Sequence, residues 1–162
     1  MNILTDNIKK EREYEGLISA VYSEASEKHP RKIVTTGLCE GARISFLISL
    51  AQDYRARFGH GFLLIVPDEK EGQKFFEACR ESGICAVMYP SRDFVFHNMT
   101  FSHELEYERL SALSSIIHGR YDIIIATPDA ALQYTVPPHI LSESAVRIAE
   151  GGEIPMELLG NC

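Results

Sequence analysis

The chain has 162 residues, 45% of them apolar, enough for one cored domain. Its formal net charge of −7, from 23 acidic against 16 basic residues, repels nucleic acid at long range and argues against direct DNA binding by this chain. No run of Lys or Arg is longer than the pair Lys9-Lys10, no signal peptide opens the sequence, and no apolar run reaches the roughly 20 residues of a membrane span, so a cytoplasmic protein is expected.

Residues 8–27 come first, with Tyr14, Leu17, Ile18, Val21 and Ala25 on one helical face. "KHPR" breaks that helix, and "KIVTT" (32–36) reads as a buried strand. The next helix carries Ile44, Leu47, Ala51, Tyr54 and Phe58 at steps of three and four, a continuous inner face stopped by "GHG". "FLLIV" (62–66) reads as a second fully buried strand. It is followed by a helix in "PDEKEGQKFFEACRESG", with Gly72, Phe75, Phe76 and Cys79 inward, and by a third strand, "ICAVMYP" (84–90). After an irregular stretch, Tyr107, Leu110, Leu113 and Ile117 mark the inner face of another helix. "YDIIIATP" (121–128) is a strand too apolar to have a wet face. A short helix, the pair Pro137-Pro138 and a last strand candidate, "SAVRIA" (144–149), complete the order.

Strands alternate with helices, and the strands are continuous apolar runs. The expected fold is α/β, a parallel sheet with helices on both faces. The expected organisation is an N-terminal helix over 1–30, one domain over 31–149, and the truncated start of a further domain over 150–162. The tail "EGGEIPMELLGNC" has no periodic face and reads as a cut, so the chain is expected to be a fragment.

The stretch "IVTTGLCEGARISFLISL" (33–50) has the strand–loop–helix order of a phosphate-binding loop, whose consensus is G-x-x-x-x-G-K-[ST]. With Gly37 as the first glycine, Ala42 falls at the second, Arg43 at the lysine and Ile44 at the hydroxyl. With Gly41 as the second glycine, Thr36, Ala42 and Arg43 take the first-glycine, lysine and hydroxyl places. Neither register supplies the chemistry. A guanidinium is a wide planar fork rather than the compact ammonium that such a loop aims at the β/γ-phosphates. Ile44 has no oxygen for magnesium. Glu40 adds an anion inside the loop, worth roughly 4 kcal/mol of repulsion at about 4 Å from a phosphate charge with an effective dielectric near 20. A helix N-terminus returns at most about 2 kcal/mol. The loop formed by Gly37, Glu40, Gly41, Arg43 and Ile44 is therefore read as vestigial and is not expected to bind nucleotide.

Other polar groups read more simply. Asp68-x-x-Glu71 suits a helix cap better than a magnesium ligand, and Asp129 a first helical turn. Glu104, Glu106 and Glu108 make an acidic helix start favoured by the helix dipole. His97 and His103 flank "NMTFS" without a nucleophile at a telling position and read as solvated loop residues. Cys39, Cys79, Cys85 and Cys162 lack the paired spacing of a zinc site and read as plain thiols. No catalytic residue, metal ligand or cofactor is expected in this chain.

The succession of this lysine-free loop after "TTGL", then "YPSRDF" with "SHELEYERLSAL", then "IIIATPDAAL" with "VPP", resembles the N-terminal region of bacterial transcription-repair coupling factors, the Mfd family. That region is in turn similar to the excision-repair subunit UvrB. The resemblance covers about 33–148 and rests on the whole order more than on any one motif. It implies a RecA-like (P-loop NTPase/helicase-type) domain with a degenerate Walker A loop, a catalytically inactive UvrB-like scaffold within an ATP-dependent DNA translocase. In that family the adjoining domain recruits UvrA, and distant translocase domains use ATP and magnesium, move on DNA and contact RNA polymerase. The scaffold would pack against other domains of the parent protein. UvrB inserts a tyrosine-rich hairpin that clamps DNA; here "SRDFVFHNMTFSHELEYE" is acidic, without a tyrosine cluster or basic groove, so weak or no direct DNA binding is implied. Two other readings stand beside this one: an active P-loop NTPase using Arg43, and a flavodoxin- or Rossmann-like module binding a small molecule at a sheet switch point, for which no GxGxxG is present.

Overall fold

The computed structural model describes residues 3–23, 32–91 and 103–144. Its elements in chain order are α1 (Ile3–Ile8), α2 (Arg12–Tyr22), α3 (Glu40–Phe58), β1 (Phe62–Ile65), α4 (Glu69–Glu81), β2 (Ala86–Tyr89), α5 (His103–Ile117), β3 (Ile123–Ala126), α6 (Pro128–Leu132) and α7 (Pro138–Ser144). The three strands form a parallel sheet in the order β1-β3-β2, with Phe62 opposite Ile123 on one side and Ala86 opposite Ile123 on the other. This is the α/β arrangement expected from apolar runs alternating with helical stretches. The last strand candidate, 144–149, extends beyond Ser144, the end of the described residues.

Successive side chains of a strand point to opposite faces, and β3 uses both. Ile123 and Ile125 pack with Ile48 and Ala51 of α3 and with Phe75 and Cys79 of α4. Ile124 and Ala126 face the opposite way, toward Tyr89, Ala112 of α5 and Ala130 of α6. β1 departs from the fully buried strand expected of "FLLIV". Phe62 and Leu64 join the α3/α4 cluster, but Leu63 and Ile65 are about half exposed, because the α5/α6 cluster stops short of this edge strand. The start of β1 depends on Gly61: a Cβ there would lie 2.3 Å from the Asp122 carbonyl oxygen, beside the Phe62 N–H···O bond to the same carbonyl.

Residues 32–36 are not a buried strand. They enter no ladder among the described residues and are exposed, Val34 at 84%. β-branched residues favour extended backbone, yet a strand also needs a paired neighbour and a covered face, and this segment has neither. The helix expected over 8–27 begins instead at Arg12 as α2, with α1 a separate helix ending at Ile8, and residues 24–27 lie outside the described residues. Across the break Lys9 Nζ reaches Asp53 Oδ1 of α3 at 2.7 Å, Tyr14 Oη donates to Asp53 Oδ2 at 2.7 Å, and Tyr22 Oη donates to the Asp53 carbonyl. Burial, reinforced by the bond to Asp53, holds the Tyr14 hydroxyl protonated well beyond its ordinary range.

α3 carries a second buried stripe that apolar periodicity does not reveal. Ser45 and Ser49 are buried, and Ser49 Oγ donates to the Ser45 carbonyl at 2.8 Å, which lets a polar pair sit on the α1 side. Phe58, by contrast, lies at the exposed end of the helix, stacked near Tyr54. α3 stops at Gly59, whose φ of +74° suits a residue without a Cβ.

Cys79 is buried, and burial pushes its thiol up to about 11, with the Asp122 carboxylate adding to the effect. The unfolded thiol loses its proton first, so stability is full below the ordinary thiol range and falls as pH rises toward 11. At pH 8 an aromatic disulfide reagent is expected to label Cys39 and Cys85, both exposed, well before Cys79. Peptide mass mapping with and without urea checks the order.

Candidate functional site

In parallel α/β sheets ligands bind beyond the carboxyl ends of the strands. Here that rim is made by Val66 to Asp68 after β1, Pro90 and Ser91 after β2, and Thr127 after β3. The degenerate phosphate loop reaches the same rim, because the first turn of α3 touches the first turn of α4: Arg43 Nη1 lies 3.1 Å from Glu71 Oε1.

The loop residues are placed as follows. Gly37 takes a left-handed conformation, φ +82°, in the exposed stretch before α3. Glu40 and Gly41 are exposed in the first turn of α3, which starts at the N-cap Cys39 without a side-chain cap. Arg43, at the lysine place, is paired with Glu71. Ile44, at the hydroxyl place, packs against the core cluster of Ile48 and Phe75. A phosphate loop draws its rigidity from the strand before it, and residues 32–36 supply none here. The Arg43–Glu71 bridge is half-exposed and worth at most about 1 kcal/mol, so it would not by itself exclude a ligand. Its consequence is electrostatic: the single cation of the loop is already neutralised by Glu71, and Glu40 in the same first turn adds a further negative charge.

The rest of the rim satisfies itself. Asp68 caps α4 by accepting from the Glu71 N–H at 2.8 Å, as the Asp-x-x-Glu spacing predicts. Ser91 Oγ donates to Glu69 Oε1 at 3.1 Å. Thr127 caps α6 through the Ala130 N–H, so Asp129 is a first-turn helix residue, exposed and away from any metal-like cluster. Among the described residues no group of three or more His, Cys, Asp or Glu could hold a metal ion. Among them, too, no helix is long and apolar enough to cross a membrane. His97 lies outside the described residues.

A residue not singled out from the sequence dominates the β2/β3 side. Arg109 of α5 is only 3% exposed. Its guanidinium donates to the Tyr89 hydroxyl, to the Pro90 carbonyl and to Gln133 Oε1 at 3.2 Å, and its Cζ lies 4.2 Å from the Tyr89 ring centroid. The expected inner face of α5 is kept only in part: Leu113 packs against the β2/β3 cluster, but Tyr107 and Leu110 are exposed, and Arg109 with Ala112 takes the inward side. The available signal was that Arg109 is the sole Lys or Arg between His103 and Ile117, set among three glutamates.

No family model matches the chain, and neither a curated protein nor a solved structure does.

Proposed function

We propose that this chain is the N-terminal UvrB-like module of a bacterial transcription-repair coupling factor, a RecA-like domain that acts as a scaffold rather than a nucleotide-hydrolysing unit. The observation that carries the non-catalytic part is the fate of the two positions that matter most to a phosphate loop. Arg43 is neutralised by Glu71, and Ile44 is part of the hydrophobic core. A triphosphate placed there would meet Glu40 with no free ammonium and no hydroxyl for magnesium. The order of strands, helices and loop motifs supports the family reading.

On this reading the module supports the adjoining UvrA-recruiting domain and packs against other domains of the parent protein. ATP, magnesium, DNA and RNA polymerase are engaged by those other domains. Titration calorimetry with Mg-ATP is expected to give no binding tighter than about 1 mM. Micromolar binding that Arg43→Ala abolishes would overturn the scaffold. The family assignment is tested separately: the parent protein's fragment running through the next domain should capture UvrA from purified components, and failure to do so would remove the recruiting role.

A further inference from the structure

The sheet has an unfinished edge at β1. The Phe62 and Val66 N–H groups donate to the Asp122 and Ala126 carbonyls, so that side of the strand is spent on β3. Backbone groups alternate along a strand. Those of Leu63 and Ile65 therefore point away from β3, where nothing pairs with β1 among the described residues. The same two residues carry the half-exposed side chains of the strand. Natural edges are blunted by Lys, Pro or a bulge. Phe62–Ile65 contains neither residue, and its register with β3 runs unbroken.

The handedness of parallel connections identifies the segment that belongs at this edge. α3 and α4 cover the same face of the sheet, both packing in the cluster of Ile123 and Ile125. When helices share a face, right-handed crossovers step across the sheet in one direction. The unit β1–α4–β2 steps from β1 past β3 to β2. A right-handed unit of residues 32–36, α3 and β1 must step the same way, so it starts on the open side of β1. Residues 32–36, Lys-Ile-Val-Thr-Thr, have the composition of a strand, yet they are exposed and enter no ladder. Between them and α3 lies Gly37, at φ +82° with open space where a Cβ would stand, a hinge that turns without a clash.

We propose that residues 32–36 are a strap that closes in parallel on β1, the open arrangement being the one seen here. Closed, the strap draws the outward N–H and C=O groups of Leu63 and Ile65 into a second ladder. Ile33 and Val34 point to opposite faces, so either register lays one of them on the α3 side and the other beside Leu63 or Ile65. A closed strap guards the edge against pairing with another chain. It supplies neither a lysine nor a hydroxyl for magnesium, so it stands apart from the scaffold reading, and Mg-ATP titration does not decide it.

The test is residue-resolved amide hydrogen exchange on the full chain. Val34→Pro/Thr35→Pro deletes two successive N–H groups, one of which faces β1 in either register. It is expected to speed exchange at Leu63 and Ile65 at least about threefold, by shifting the strap to its open arrangement. The Leu64 amide, which points to β3, should not change. Thr35→Val/Thr36→Val adds apolar surface for the closed strap to cover and is expected to slow the same two amides by a similar factor. Unchanged exchange at Leu63 and Ile65 in either variant would overturn the proposal. So would equal acceleration at Leu64, which reports a loosened sheet, or protection of Leu63 and Ile65 that grows with protein concentration, which assigns the edge to a second copy.

Discussion

Replacing Ile125 by alanine is expected to lower the free energy of unfolding by about 3–4 kcal/mol. Ile125 is fully buried in β3, which among the described residues is the strand paired on both sides, and meets α3 and α4 side chains from above the sheet. Neighbours that are themselves held by two ladders and two helices collapse little into the space left behind, so the cavity cost adds to the lost transfer energy. Leu63→Ala makes the comparison: it removes a side chain of similar size from β1, but one about half exposed, and should cost under about 1 kcal/mol. Urea unfolding followed by circular dichroism checks both. Equal losses would mean that the two faces of the sheet are covered alike and that the asymmetry described above is wrong.

That asymmetry marks where sequence reading reaches and where it stops. The middle strand was legible because four consecutive apolar residues, Ile123–Ala126, leave no wet face to assign. α4 was legible because its start is a capped Asp-x-x-Glu and its inner face is Gly72, Phe75 and Cys79. Residues 32–36 and Leu63 have the same β-branched or aliphatic character, but their burial depends on a neighbour that local pattern does not contain. Periodicity counts apolar residues, so it also missed the inward serines of α3 and put Tyr107 and Leu110 of α5 on the inner face.

For the phosphate loop, the missing lysine and hydroxyl could be read directly at Arg43 and Ile44. The Glu71 partner could not, since it comes from 28 residues away and through the packing of two helix starts. Arg109 shows the same limit from the other direction. A charged residue at an inward helix position is unreadable until its acceptors are known, and those acceptors come from two other segments, Tyr89-Pro90 and Gln133.

Those acceptors make the second large prediction. Arg109→Ala is expected to cost about 3 kcal/mol or more, since neutral acceptors lose a charged donor and a buried stem is removed. The loss is mainly of acceptor satisfaction: the Pro90 carbonyl, Gln133 Oε1 and the Tyr89 hydroxyl would each lose a donor, and a buried polar group left unmet costs about 1–3 kcal/mol. Arg109→Lys should recover less than half, because an ammonium cannot spread donors over three directions while lying against the Tyr89 ring. Arg109→Met separates packing from hydrogen bonding, since it keeps an apolar stem of similar reach. If the bonds matter, methionine behaves like alanine; a methionine variant as stable as the parent would show that Arg109 only fills space. Hydrogen exchange adds a local readout. Freed from Gln133, the end of α6 should exchange faster while β1 and α3, which pack in the other core cluster, keep their protection.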